Sequence, residues 1–144
     1  MAIEVHSEIF IARPPDEVAG TMFNPKRDKI WIRSLAEVFP MGSGLYEKGD
    51  RVERVGDFMS RRYSAKVVVM KCEPGRMVEL YADEPFEQKQ RYMLSEAEGG
   101  TDVRITVQSI GEINYNSPIT ILSRKIREDL EGDLKKLKKF VESQ

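Results

Sequence analysis

Polar and apolar residues alternate along positions 3–11. Ile3, Val5, Ser7, Ile9 and Ile11 fall on one face, and Glu4, His6, Glu8 and Phe10 on the other. A period of two predicts a strand with one wet face. Pro14-Pro15-Asp16-Glu17 follows. Proline and acids suit the first turn of a helix, which Val18 and Met22 continue and Asn24-Pro25 ends. Residues 26–35 predict a second short helix, with Ile30, Trp31 and Leu35 as its apolar members. Strand patterns then recur over 36–41, 51–55, 60–73, 76–82, 86–95 and 101–113, separated by turn signals such as Gly42-Ser43-Gly44, Pro74-Gly75 and Glu98-Gly99-Gly100. Short turns between successive strands imply antiparallel pairing.

The period changes near residue 117. Ile119, Leu122, Ile126, Leu130, Leu134, Leu137 and Val141 step by three or four and make one apolar stripe. The pattern predicts a helix over roughly 117–142, capped by Ser117, opened by Pro118 and about 35–40 Å long. Lys135, Lys136, Lys138 and Lys139 crowd its last turns, where cations suit the helix dipole. Gly132 breaks the run of good helix formers and costs about 1 kcal/mol relative to alanine. A curved antiparallel sheet wrapped around this helix would leave space that bulky residues, water or a ligand must fill.

Composition narrows the classes. The 144 residues suit one domain with a sizeable core, spanning 1–144. A net charge of −1 excludes a global basic field for gripping nucleic acid. No apolar run approaches the ~20 residues of a membrane span. The N-terminus does not read as a signal peptide, and the single cysteine, Cys72, has no internal partner, so a reduced, cytoplasmic setting is expected.

The order strand, two short helices, six strands, long helix resembles that of the START-like (SRPBCC) helix-grip superfamily, and most of all its polyketide cyclase/dehydrase-like branch. Ala12-Arg13-Pro14-Pro15-Asp16-Glu17-Val18 resembles the junction of first strand and first helix, and Trp31 sits where the second helix often carries tryptophan. Gly42 to Gly44 and then Gly49-Asp50-Arg51-Val52 resemble the first hairpin, and Glu73-Pro74-Gly75-Arg76 the proline-containing middle turn. The resemblance implies an α+β helix-grip fold, with about seven strands around a long C-terminal helix. It also implies a small apolar or amphipathic ligand, such as a lipid, isoprenoid or polyketide, held between sheet and helix. Some relatives are cyclases, dehydratases or hydrolases, and others are protein partners such as co-chaperones. Fold alone does not choose among these.

The candidate cavity wall is Gln88, Gln90 and Tyr92 on one strand and Ile105 and Val107 on the next. Leu122 and Ile126 are candidates for the helix side, and Trp31 for a roof at the entrance. Two amides and a phenol facing inward need partners, which a ligand or water would supply. The opposite face, Glu87, Lys89, Arg91 and Met93, is just as polar, so the pattern leaves the register open. If it is reversed, Arg91, Glu79 and Tyr81 become the inner polar groups. The run Val67-Val68-Val69 leaves the inner face of its strand unassigned as well. Core packing is the alternative for every apolar member.

Other chemistry is sparse. His6 between two glutamates reads as a surface residue, and one histidine with one cysteine makes no zinc cluster. Cys72 lacks an adjacent activating base on its own face and reads as structural. No serine sits in a nucleophile elbow, and Gly42-Ser43-Gly44 lacks the residues of a phosphate loop. The sequence therefore predicts a binding or carrier protein with no cofactor and no metal. Its partner would be a small apolar molecule, not nucleic acid or an integral membrane. A cyclase/dehydratase-type enzyme and a protein-interaction module are the rivals, and a homodimer is left open.

Overall fold

The computed structural model describes residues 2–144. The pattern of period two becomes seven strands: β1 (Glu4–Ile11), β2 (Leu35–Pro40), β3 (Arg51–Phe58), β4 (Arg61–Glu73), β5 (Met77–Ala82), β6 (Gln88–Ala97) and β7 (Gly100–Ser109). All pair antiparallel in one sheet, in the order β1-β7-β6-β5-β4-β3-β2. Register shifts between Leu35 and Glu37 and between Val69 and Lys71 interrupt the ladders. Such bulges add bend and twist. The valine run precedes the second shift and pairs regularly, and burial assigns it: Ala65, Val67 and Val69 are buried, whereas Lys66 and Met70 are exposed.

Helices α1 (Pro15–Met22) and α2 (Asp28–Trp31) bridge the edge strands β1 and β2. The predicted helix over 26–35 is much shorter than expected. A 3₁₀ turn, Pro25–Arg27, leads into a single turn of α2, and Leu35 already belongs to β2. The cause is local: the Asn24 side chain accepts from the Lys26 amide at 3.1 Å and starts a new turn, and Ile32 goes extended. Strand β3 runs three residues beyond expectation. Strand β7 stops at Ser109, and residues 110–118 leave the sheet as a connection.

The closing helix α3 spans Ile119–Glu142. Pro118 occupies its cap position and no side chain caps it, so Ser117 lies outside the role expected of it. The apolar stripe does what periodicity demands. Leu122, Ile126, Leu134, Leu137 and Val141 are buried against the sheet, α1 and α2. Full burial of each such side chain favours folding by about 1.5–3 kcal/mol. The C-terminal end is fastened to the β1–α1 corner. Glu142 accepts the Ala12 amide at 2.8 Å, and Lys138 donates to the Phe10 carbonyl at 2.7 Å. The terminal lysines are thus partly structural. Among the described residues, no helix is long and apolar enough to cross a membrane.

Candidate functional site

A pocket of about 110 Å³, open to solvent at one side, lies between the sheet and the middle of α3. Gln88, Gln90 and Tyr92 of β6 and Ile105 and Val107 of β7 line it, so β6 turns toward the helix the face that the sequence left undecided. Arg91 and Glu79 pair at 2.8 Å on the other side of the sheet. On the helix side, Ile126, Asp129, Leu130 and Asp133 line the cavity. Leu122 does not: it is 2% exposed and packs in the core beyond the cavity wall. Trp31 is a wall and not an entrance roof, being 1% exposed and packed edge-on against Tyr92 with ring centres 5.7 Å apart. Asp57 and Glu84 are the exposed members of the lining and mark the rim with the half-buried Asp129.

The polar groups of β6 satisfy one another in sequence. Gln88 donates to the Phe86 carbonyl at 3.1 Å and accepts from Gln90 at 2.8 Å. Tyr92 donates to Gln90 at 3.4 Å and accepts from Arg54 of β3 at 3.4 Å. Arg54 ends this ladder and begins a second cluster. Its Nε and Nη2 lie 3.1 and 2.9 Å from Asp28 Oδ2, and Tyr46 donates to the same oxygen at 3.0 Å. Arg54 Nη2 also reaches the Tyr46 hydroxyl at 3.0 Å. Asp28 is fully buried and Arg54 is 5% exposed.

Burial pushes the Asp28 carboxyl above the usual aspartate range, and Arg54 and Tyr46 pull it back only in part. Burial also works against the Arg54 charge, but Asp28 and the tyrosines outweigh it and hold the guanidinium well above its ordinary value. The two directions differ because burial wins at one partner and the ion pair at the other. Three donors converging on one oxygen fit an anionic Asp28, so we treat the pair as ionised. Burial likewise raises Tyr46 and Tyr92, which keeps both phenols neutral as hydrogen-bond donors. Two buried atoms have no partner among the described residues, Asp28 Oδ1 and Trp31 Nε1.

None of Asp28, Arg54 or Tyr46 stood out in the sequence. The loop that carries Tyr46 is fastened by its amide to the Phe23 carbonyl at 2.8 Å and by the Cys72 thiol to its own carbonyl at 3.1 Å. Burial, together with the acids near Cys72, raises that thiol, which fits the structural role. His6 is exposed, as its neighbours suggested. Among the described residues, no group of three or more His, Cys, Asp and Glu could hold a metal ion.

A clasp closes the rim on the helix side. The Arg33 amide and Nε donate to Asp133 Oδ1 at 3.1 and 3.0 Å. Burial raises the Asp133 carboxyl against the pull of Arg33. Gly132 explains itself here: a β-carbon at that position would overlap the Arg33 guanidinium. In an Arg33→Ala background, Gly132→Ala should therefore stabilise the protein by about 1 kcal/mol, the ordinary helix-propensity gain. With Arg33 present the gain should vanish. Urea unfolding of the four variants measures this, and equal gains in both backgrounds would show that the glycine is not kept for the arginine.

No protein-family model matches the sequence, and no curated protein does. Solved structures do. A START superfamily protein from Mycobacterium smegmatis superposes with a TM-score of 0.80 at 13% identity, covering 97% of each chain. The di-domain ARO/CYC StfQ from the steffimycin biosynthetic pathway gives 0.80 at 11% identity, with 99% of this chain covering 52% of that one. Ara h 8.0201 gives 0.75 at 12% identity over the whole of both chains. With seven antiparallel strands curved around α3 and two short helices after β1, the chain has the helix-grip fold, which it shares with these structures.

Proposed function

We propose that the protein binds a small, mainly apolar molecule in the cavity between the sheet and α3. The observation that carries this reading is the hollow itself. It is walled by Trp31, Ile105, Val107 and Ile126, with the Arg54–Tyr92–Gln90–Gln88 ladder along one side. Apolar side chains make part of the wall and fixed polar groups the rest, and a concave site of that kind can orient a small molecule. The folds named above, one of them in a biosynthetic ARO/CYC protein, support the same reading by analogy.

Size narrows the ligand. Sites for drug-sized molecules usually span about 300–1,000 Å³. An apolar cavity of about 150 Å³ holds one benzene ring. At about 110 Å³ the hollow is smaller than that, so a one-ring molecule must extend toward the rim, and a lipid would need α3 or the rim to move. Trp31 is the sole tryptophan and forms part of the wall, so its fluorescence reports occupancy directly. Titration with benzyl alcohol should give a saturable change in Trp31 emission. Unchanged emission up to the solubility limit would refute the reading.

Asp133 favours a second reading, in which the bound molecule is also transformed. It lines the cavity, its carboxyl is raised by burial, and Arg33 engages only Oδ1. A carboxylate so placed is suited to move a proton. Turnover of a bound ligand that Asp133→Asn abolishes without loss of binding would support that reading.

A further inference from the structure

Resting on the cavity reading above, we infer that the site selects uncharged ligands over carboxylates, and that Asp28 is the residue that sets this preference. An arginine on the wall of a small hollow ordinarily invites an anion, because its donors match a carboxylate. Arg54 is different. Its charge already meets Asp28, at 2.9 Å, inside the wall. The same Nη2 also serves the Tyr46 and Tyr92 hydroxyls. A carboxylate entering the cavity would bring a second negative charge to a cluster with no cation left over. Its lost hydration would not be repaid.

The rim acts in the same sense. Apart from Arg54, the charged residues of the lining are all acids: Asp57, Glu84, Asp129 and Asp133. Their cationic partners Arg62, Lys125 and Arg33 sit outside the lining. Glu84 has no ion-pair partner among the described residues. Glu84 is therefore the uncompensated charge of the mouth, and an approaching anion meets like charge there, weakened by solvent at the exposed rim.

The interior offers spare capacity of both kinds, a donor at Trp31 Nε1 and an acceptor at Asp28 Oδ1. Trp31 Nε1 is a buried donor without an acceptor, and Tyr92 stays a neutral phenol. A neutral molecule of single-ring size with one acceptor oxygen, such as an alcohol, ketone or ether, complements both the charge balance and the unmatched indole N–H.

Benzyl alcohol, benzylamine and benzoate share one ring and differ in charge at pH 7, so their affinities, read from Trp31 emission, test the inference. Benzyl alcohol should bind at least about tenfold more tightly than benzoate, and benzylamine, which meets no like charge, should also bind more tightly than benzoate. In Asp28→Asn, Arg54 is left uncompensated, and the gap to benzoate should close or reverse. Glu84→Lys changes only the exposed rim and should narrow the same gap severalfold even if Asp28→Asn fails to fold. Benzoate binding the parent as tightly as benzyl alcohol would overturn charge selection and leave the cavity reading standing. A gap that persists unchanged in every folded variant would overturn the assignment to Asp28 and the rim. If none of the three compounds perturbs Trp31, the cavity reading itself fails, and this inference with it.

Discussion

Arg54→Met should destabilise the protein by about 3–5 kcal/mol at pH 7, because it leaves the fully buried Asp28 carboxylate without its countercharge. For a chain of this length that is a fall of roughly 10 °C or more in the thermal midpoint. The loss belongs to the unpaired charge more than to the missing contact. The double variant Asp28→Leu/Arg54→Met should therefore recover much of it, and the two single costs should not add. The pH dependence separates the two causes. Burial already lifts the Asp28 carboxyl above its ordinary 3.8, and without Arg54 nothing but Tyr46 pulls it back. A carboxyl raised in the folded state contributes stability only below its unfolded value, and that contribution is lost as pH rises through the folded value. The deficit of Arg54→Met relative to the parent should thus shrink steadily as pH falls from 7 toward 4. Urea unfolding at several pH values checks this. A deficit independent of pH would mean that Asp28 is not the charge left stranded.

That cluster also marks where the sequence stops being legible. Periodicity is a statement about faces, and it served well wherever one face was greasy. The alternation at Ile3 to Ile11 and the stripe from Leu122 to Val141 located β1 and α3 because apolar burial placed them. It said little about the β3–β4 hairpin. Met59 and Ser60 turn it with both residues at positive φ, without the glycine or asparagine that usually announces such a turn. Gly56 falls just beyond the predicted strand 51–55, yet it lies inside β3. There a β-carbon would come within 2.8 Å of the Ser34 carbonyl and the Tyr63 hydroxyl. One of those neighbours is 22 positions away, which no local window contains. The same holds for Gly132 beneath Arg33. Asp28 and Arg54, 26 positions apart, became partners only through the fold. Gln88, Gln90 and Tyr92 were singled out because they alternate, but their pattern was symmetrical with that of the opposite face. Only the side on which α3 packs broke the tie.

The cavity should be closable from the sheet. Ala82 on β5 lines it, is 3% exposed, and lies beside Val67 and Gln88 in the neighbouring strands. Isoleucine at this position suits a strand and projects three more carbons into the hollow. Ala82→Ile should abolish the benzyl alcohol response of Trp31, weakening binding by more than tenfold. It should leave the fold intact or stabilise it by about 0.5–2 kcal/mol, as cavity-filling substitutions commonly do. Leu122→Ala supplies the contrast. Leu122 is as buried as the cavity residues but packs outside the lining. Its truncation should cost about 2–5 kcal/mol in stability and leave the affinity of the folded protein nearly unchanged. Affinity and stability would then move in opposite patterns in the two variants, a result that general loosening of the core cannot produce. If Ala82→Ile still bound benzyl alcohol as the parent does, the ligand would have to sit somewhere other than beneath α3. If Leu122→Ala lost binding as well, the ligand would be sensing the packing of the whole helix and not the hollow beside Tyr92.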